Sequence, residues 1–149
     1  MKLFNTFTKD GLYVAATLTE QTKLNLLEFM NINDVPNRPE LDDLHITIQY
    51  SREYVDYVLN NDSVNIGKDN HLDIFEFGGK RYLVLVLDSA YLQYRHEYGR
   101  LIGCTYDFDE YKPHITLSKD LGLIDYVPVK TSTDFDIIIS HEYKENLEL

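Results

Sequence analysis

Two short segments of the chain have almost the same sequence, His45-Ile46-Thr47-Ile48 and His114-Ile115-Thr116-Leu117. In an extended strand, side chains two residues apart point to the same face, so each histidine projects beside its threonine. If the fold brings the two strands together, the pocket between them holds two proton-transfer groups and two hydroxyl donors. These are the groups that cleave a phosphodiester by acid-base catalysis, so the motifs predict phosphodiester chemistry.

Histidine suits this chemistry because its ordinary pKa of about 6.5 makes both protonation states available near neutrality. A neutral imidazole can accept a proton while a charged one donates a proton, which provides a general base and a general acid. The threonine hydroxyls can donate hydrogen bonds to the non-bridging phosphoryl oxygens, where negative charge grows in the transition state. The residues alone do not say which of His45 and His114 is the base.

The two motifs could also have arisen without a catalytic role. A single His-x-Thr in a strand is usually a half-buried histidine beside a β-forming residue, but two such copies arise by chance in roughly one of several hundred chains of this composition. A duplication that retained core histidines would produce the pair without a function. Neither motif has a further ligand at a spacing that completes a metal site, so we predict no metal and no cofactor. We expect surface or satisfied-core roles for His71 and His96, and a buried thiol at Cys104.

The elements that must position the motifs occur in the same order twice. Each unit reads as a strand, a capped helix, an acidic loop with proline, and a His-Ile-Thr strand. Tyr13 and Tyr82, like His45 and His114, are 69 residues apart. We therefore predict one domain over 1–149 with an internal repeat at about 11–51 and 80–120, in which an approximate twofold places both motif strands beside one cleft.

Local patterns predict the individual elements. Strands are expected at 3–8, 11–18, 44–50, 71–77, 80–88, 114–117, 126–130 and 135–143. Helices are expected from the Thr19 cap to about Asn31, at 53–59, and from the Ser89 cap to Ile102. The first helix should present Leu24, Leu27 and Met30 on one face, and the last helix should bury Tyr91, Tyr94, Tyr98, Leu101 and Ile102. Gly78-Gly79 predicts a tight hairpin turn.

Composition limits the classes of function. The 149 residues are 44% hydrophobic and include one cysteine, and no apolar run is long enough to span a membrane. We therefore expect a globular protein of a reducing, cytoplasmic setting. The net charge of −11 disfavours binding to long nucleic acid. It does not forbid one small anion in a pocket that draws on Arg52, Lys80, Arg81, Lys112 and Lys119.

The two motifs also carry a resemblance to a known superfamily. Paired His-hydrophobic-Thr-hydrophobic strands in a duplicated α+β unit resemble the two-histidine (2H) phosphoesterases, over residues 11–118. The segments 44–51 and 112–118 resemble, more closely, the anti-CBASS nucleases of bacteriophages. The resemblance implies an α+β fold of two pseudo-symmetric lobes of antiparallel sheet with flanking helices and an active site in the central cleft.

The resemblance further implies a metal-independent phosphodiesterase with His45, Thr47, His114 and Thr116 as its catalytic quartet. The implied substrates are 3′,5′-linked cyclic di- and trinucleotides, whose destruction blocks the host's CBASS defence. One histidine would deprotonate a ribose 2′-hydroxyl that attacks the adjacent phosphorus, and the other would protonate the leaving 5′-oxygen. Base preference, ring size and oligomeric state are not predicted.

Contacts to the bases are expected from two further residues. The ring of Tyr13, like that of its repeat mate Tyr82, can stack on a nucleobase, although a core role is an equal alternative. Glu142 can accept hydrogen bonds from an exocyclic amine of a base. The loop 34–43 is a candidate cover for the cleft. Two alternative functions stay open, an RNA 2′,3′-cyclic phosphodiesterase of the same superfamily and a sponge that binds a cyclic nucleotide without cutting it.

Overall fold

The computed structural model describes residues 10–148, so the strand predicted at 3–8 lies outside the described residues. In chain order the elements are β1 (Asp10–Leu18), α1 (Glu20–Ile32), β2 (His45–Ser51), β3 (Val64–Asn65), β4 (Asn70–Phe77), β5 (Lys80–Leu87), α2 (Ala90–Leu101), β6 (His114–Ser118) and β7 (Ile138–Glu148). A single 3-10 turn, Leu41–Asp43, leads into β2. Both motifs lie on strands, as predicted.

The strands form two antiparallel sheets, with orders β2-β1-β7-β3 and β4-β5-β6. The motif strands β2 and β6 are each an edge of their own sheet, and they contact each other. The fold therefore brings the two His-Ile-Thr strands side by side where the sheets meet. This arrangement of two sheets and two helices confirms the predicted α+β class.

The two strand-helix-strand units have the same internal geometry. In each unit the first strand pairs antiparallel with the motif strand, β1 with β2 and β5 with β6. The register shifts by one residue at Val14/Ala15 in the first pair and at Leu83/Val84 in the second, positions that are again 69 residues apart. A bulge increases local twist and re-aims side chains, so both motif strands curl in the same way.

The apolar residues of the motifs fill the space behind the site. Ile46, Ile48, Ile115 and Leu117 are fully buried and belong to one core cluster. Because alternate side chains of a strand point to opposite faces, burial of these four residues fixes the histidines and threonines on the other face. Sequence alternation and core packing thus determine the direction of the histidine and threonine side chains of both motifs.

The first helix begins as predicted but buries a different face. The Thr19 side chain accepts a hydrogen bond from the Thr22 backbone N–H, which caps the helix. Its buried residues are Thr22, Lys23, Leu26, Phe29 and Met30, whereas Leu24 is 53% exposed. Of the predicted Leu24-Leu27-Met30 face, Met30 is buried and Leu27 is half-buried, but Leu24 was wrong because the helix is rotated so that Leu26 and Phe29 join the core.

The second helix is capped by Ser89 as predicted, but its predicted buried face is confirmed only for Tyr91 and Tyr98, which are partly buried against the core. Tyr94 and Leu101 are 68% and 84% exposed, and the buried residues are Leu92, His96 and Gly99. The reason is Gln49 of β2, which is fully buried and packs against the helix at Gly99. Because the helix buries Leu92, His96 and Gly99, Tyr94 and Leu101 lie on its exposed side.

Of the remaining predicted elements, some are present in the structure and others are not. The hairpin is confirmed, and both Gly78 and Gly79 adopt positive φ in its turn. Residues 53–59 form no helix and residues 126–130 form no strand. The short strand β3, which pairs with β7, has no sequence signal. Between residues 10 and 148, no helix is both long and apolar enough to cross a membrane.

Candidate active site

Two cavities flank the motif strands and share Thr116 as a wall. The His114 cavity has a volume of about 700 Å³, and its lining includes Phe75, Tyr82, Tyr106, Phe108, Lys112, His114 and Thr116. The His45 cavity has a volume of about 610 Å³, and its lining includes Tyr13, Thr17, Asp42, Asp43, His45, Thr116, Lys119 and Glu145. His45, His114 and Thr116 therefore line the two adjoining cavities, with one histidine in each, whereas Thr47 lines neither cavity and is reached through Tyr13 of the His45 cavity.

The two histidines are held in the same way. Nδ1 of His45 lies 2.6 Å from the carbonyl oxygen of Asp43, and Nδ1 of His114 lies 2.8 Å from the carbonyl oxygen of Lys112. Because a carbonyl oxygen can only accept, Nδ1 must carry the proton in both rings. Nε2 is then the atom that takes up or releases a proton, so either ring is competent as an acid or as a base.

The surroundings of His114 favour its neutral form. Burial lowers the pKa of His114, and the nearby His45 lowers it further, against the opposing effect of the hydrogen bond to Lys112. The ring meets Phe75 edge to face, with centroids 5.0 Å apart. An imidazole in these surroundings is ready to accept a proton near neutrality.

Thr47 is fixed by two tyrosines. The hydroxyl of Tyr13 lies 2.9 Å from Thr47 Oγ1, and the hydroxyl of Tyr111 donates to the Thr47 carbonyl oxygen at 2.6 Å. Burial raises the pKa of Tyr13 to about 12, so its phenol keeps its proton. Within the described part of the chain, Tyr82 makes no corresponding bond to Thr116. The duplicated site is thus asymmetric at its threonines.

Tyr13 lies at the site, as expected for a substrate contact. Its ring lines the His45 cavity and is edge-on to His45, with centroids 6.4 Å apart. Tyr82 lines the other cavity, where its partner in the hairpin register is Phe75. The repeated tyrosines therefore occupy opposite sides of the cleft.

Glu142 lies elsewhere. It is 2% exposed and forms an ion pair with Arg95 through both carboxylate oxygens, at 2.7 and 2.8 Å. Its oxygens also accept from the Asn60 backbone N–H and the Tyr91 hydroxyl. Glu142 pairs with buried Ala16, on the sheet face opposite to the one that carries Thr17 and His45. A contact between Glu142 and a base would therefore require this network to open.

The predicted basic residues are divided among several tasks. Lys112 lines the His114 cavity and Lys119 lines the His45 cavity. Arg52 instead pairs with Asp107 through two nitrogens, and Arg81 donates to the carbonyl oxygens of Gly122 and Ile124. Lys80 lies at the hairpin turn and lines neither cavity, so Lys112 and Lys119 are the members of the set that face the cleft.

The loop 34–43 forms part of the cavity wall. Pro39, Asp42 and Asp43 line the His45 cavity, and Lys23 of α1 holds Asp42 through an ion pair of 3.1 Å. The loop thus brings carboxylates to the side of His45.

Sequence reasoning missed the aromatic wall of the His114 cavity. Phe75 could have been found by counting back from Tyr82 through the two-glycine turn, since the hairpin register pairs them. Tyr106 and Phe108 lie in the loop between α2 and β6, where no periodicity signals their direction. Within residues 10–148, no three His, Cys, Asp or Glu side chains are grouped to hold a metal ion.

Comparison with known proteins finds relatives that match nearly the whole chain. The family model described as anti-CBASS protein Acb1 matches residues 10–149. The anti-CBASS protein Acb1 of Enterobacteria phage T4 is 43% identical over 141 residues, covering 93% of this chain and 90% of the relative. The corresponding protein of Yersinia phage phiR1-RT is 42% identical over 141 residues, covering 94% of this chain and 90% of the relative.

Solved structures show the same fold. Escherichia coli LigT complexed with phosphate superimposes with a TM-score of 0.62 at 13% sequence identity, covering 93% of this chain and 87% of LigT. LigT complexed with 3′-AMP gives a TM-score of 0.57 at 13% identity, covering 95% of this chain and 99% of LigT. These likenesses confirm the predicted 2H phosphoesterase fold.

Proposed function

The chain belongs to the anti-CBASS protein Acb1 family, and we propose that it blocks CBASS defence by cleaving 3′,5′-linked cyclic di- and trinucleotides. The observation that carries the proposal is that two histidines held in the same way line adjoining cavities that share Thr116, with the Thr47 hydroxyl bonded to Tyr13 of the His45 cavity. This arrangement supplies a base, an acid and phosphate donors at one place.

The proposed reaction uses only these side chains. A neutral imidazole takes the 2′-hydroxyl proton at Nε2 while O2′ attacks the adjacent phosphorus. The bond between phosphorus and O5′ breaks, and the charged imidazole gives its Nε2 proton to O5′. Hydroxyls of Thr47 and Thr116 donate to the non-bridging oxygens. The product carries a 2′,3′-cyclic phosphate, which water opens to a 3′-phosphate with the two histidines exchanging roles.

The cleft suits a small substrate that extends to both sides of the quartet. Cavities of about 700 and 610 Å³ adjoin Thr116, one with an aromatic wall and one with a polar wall. Each cavity is lined by one lysine, Lys112 or Lys119, and by three carboxylates, and the net charge of the chain is −11, so a long polyanion is repelled. A cyclic dinucleotide meets these conditions better than RNA does.

Incubation with 3′,3′-cyclic GMP-AMP in EDTA, followed by chromatography, tests this function. We expect linear product, and we expect His45→Ala and His114→Ala to reduce the rate by about 10² to 10⁴ with folding retained. His71→Ala is the matched control, because His71 is an exposed histidine of β4 that lines neither cavity. Near-normal turnover by His114→Ala would refute the proposal.

The same incubation separates the alternatives. Intact ligand recovered after denaturation of the protein would indicate a sponge. Selective opening of a linear RNA 2′,3′-cyclic phosphate, with the cyclic dinucleotide left intact, would indicate an RNA phosphodiesterase. Resistance of a 2′-O-methylated cyclic dinucleotide is expected, because the methyl group removes the attacking hydroxyl.

A further inference from the structure

The motif strand β2 is held at its bulge by two side chains from the second half of the molecule. The bulge lies at Ile48, which has no partner in β1 because the register shifts there. We infer that Tyr111 and His96 are positioning residues, which direct the Thr47 hydroxyl toward the scissile phosphate by fixing the backbone of this bulge. The inference rests on the proposed function and assigns it two further residues, neither of which touches the substrate.

Both side chains contact carbonyl oxygens of the bulge. The Tyr111 hydroxyl donates to the Thr47 carbonyl oxygen at 2.6 Å, and His96 Nδ1 lies 2.8 Å from the Ile48 carbonyl oxygen. These carbonyls belong to the two planar peptide groups on either side of Ile48, so holding both of them restricts the φ and ψ angles of that residue. A bulge re-aims the side chains beside it, so the direction of the Thr47 side chain depends on these angles.

Both contacts are made by dependable donors. Burial raises the pKa of Tyr111 and lowers the pKa of His96, so the phenol stays protonated and the imidazole stays neutral near pH 7. A carbonyl oxygen can only accept, so Nδ1 carries the proton of the neutral His96 ring. The two rings are stacked, with centroids 4.1 Å apart and planes 5° apart, and both are buried. The stack therefore fixes the direction of both donors.

The stacked pair is anchored to α2 and to the loop before β6. His96 lies in α2, and Gln93 of the same helix donates to the Tyr111 backbone carbonyl oxygen at 3.1 Å. Tyr106 packs edge-on against His96, with centroids 4.6 Å apart, and also lines the His114 cavity. The support for β2 thus comes from the part of the chain that carries the second motif.

The second motif has the same bulge without this support. The register shift between β5 and β6 leaves Leu117 without a partner, at the position of the repeat that corresponds to the β2 bulge. The residues 69 positions before Tyr111 and His96 are Asp42 and Leu27, and neither has a ring that donates. Among residues 10–148, no side chain donates to the Leu117 carbonyl oxygen. Loss of the stacked pair should therefore affect one of the two motif threonines.

The position of the Thr47 hydroxyl matters because it has one proton to give. The Tyr13 hydroxyl lies 2.9 Å from Thr47 Oγ1, so when Thr47 donates to a phosphoryl oxygen, Tyr13 donates to Thr47. A donor stabilises the transition state only where its geometry fits the developing charge. A misplacement of about 1 Å can cost about 10² in rate, and we expect the loss of one of several anchors to cost less.

Tyr111→Phe tests the inference, because it removes the phenol oxygen and leaves a ring to stack on His96. We expect kcat for 3′,3′-cyclic GMP-AMP to fall about five- to thirtyfold and KM to change less than about twofold. Tyr126→Phe is the matched control, because the Tyr126 hydroxyl also donates to a backbone carbonyl oxygen, that of Asn33 at 2.7 Å, and Tyr126 lines neither cavity. A normal kcat in Tyr111→Phe, or an equal loss in both variants, would overturn the inference.

A double-variant cycle with Thr47→Val shows whether the effect passes through the threonine. Valine keeps the shape of threonine without the hydroxyl, so Tyr111→Phe should change kcat less than about twofold in this background. A fall by the same factor in both backgrounds would mean that Tyr111 does not act through Thr47, and would refute the inference.

His96→Phe provides a second variant in case Tyr111→Phe does not fold. It keeps a ring beside Tyr111 but removes the Nδ1 donor, so it should also lower kcat about five- to thirtyfold, again only while the Thr47 hydroxyl is present. An unchanged kcat in His96→Phe would refute the role of His96.

The unmodified protein separates this inference from the proposed function. Absence of turnover by the unmodified protein would refute the proposed function and the inference with it. Turnover by the unmodified protein that Tyr111→Phe leaves unchanged would refute the inference alone. Urea denaturation of each variant checks that a lower kcat does not come from unfolded protein.

Discussion

Substitution of Gly99 by alanine should destabilise the protein although it lies in a helix. An alanine Cβ at this position would lie 2.1 Å from Nε2 and 2.5 Å from Cδ of Gln49. The Gln49 amide is fully buried and donates to the carbonyl oxygens of Arg95 and His96 at 3.3 and 2.8 Å. Because Gln49 is fully buried, we expect that either its amide leaves these hydrogen bonds or the helix moves away from β2.

The size of the effect follows from opposing contributions. Overpacking costs about 1 to 3 kcal/mol, and leaving the buried amide without its partners costs about 1 to 3 kcal/mol. Alanine has a higher helix propensity than glycine, which stabilises the folded protein by about 1 kcal/mol. We expect the free energy of unfolding, measured by urea denaturation, to fall by about 2 kcal/mol in Gly99→Ala.

The double variant distinguishes a local clash from a general intolerance of the helix. In Gln49→Ala the clashing atoms are absent, so adding Gly99→Ala should raise the free energy of unfolding by about 1 kcal/mol. The coupling between the two sites is then about 3 kcal/mol, at the upper end for residues in contact. A Gly99→Ala effect of the same sign and size in both backgrounds would refute the reasoning.

The remaining predictions concern the site and its supports. Tyr13→Phe removes the hydroxyl beside Thr47 and should lower kcat about three- to tenfold with little change in KM, whereas Tyr50→Phe, whose ring also packs on Tyr13, should not; equal loss in both variants would contradict a role through Thr47. Glu142→Gln should lower the free energy of unfolding by about 3 kcal/mol because Arg95 loses its buried partner, and an unchanged urea midpoint with a raised KM would instead indicate a direct substrate contact. Burial lowers the pKa values of His96 and His114, so the unfolded chain binds protons there more readily, and the free energy of unfolding should fall as the pH drops below about 6.5. His96→Phe should make that decline shallower in urea titrations between about pH 5 and 7.5, and an unchanged slope would refute the contribution of His96.

The motif strands could be predicted because their signal is local and appears twice. The alternation of polar and apolar residues determines which side chains of β2 and β6 point into the core. The constant offset of the repeat reveals the order of the elements. Thr19 and Ser89 have cap chemistry that works without tertiary context, so both helix starts are confirmed.

The faces of the helices could not be predicted from periodicity. Tyrosine occurs both in protein cores and on protein surfaces, so the tyrosines of α2 gave little information about which side of the helix is buried. The decisive contact joins Gln49 and Gly99, two residues that no hydrophobic pattern would place in a core. The partners of Glu142 likewise come from distant segments, Asn60 and Arg95, whose meeting depends on the whole fold.

The position of β2 and β6 as neighbouring edges of separate sheets bears on how substrate size can be tuned. No shared ladder of backbone hydrogen bonds fixes the gap between these strands. The gap depends instead on the volumes of Ile46, Ile48, Ile115 and Leu117, which meet in the core behind the site. Side-chain volume changes in steps of a methylene, whereas strand register changes by whole residues. The distance between the two imidazoles can therefore be adjusted finely from the interior, with the histidines and threonines of both motifs left in place.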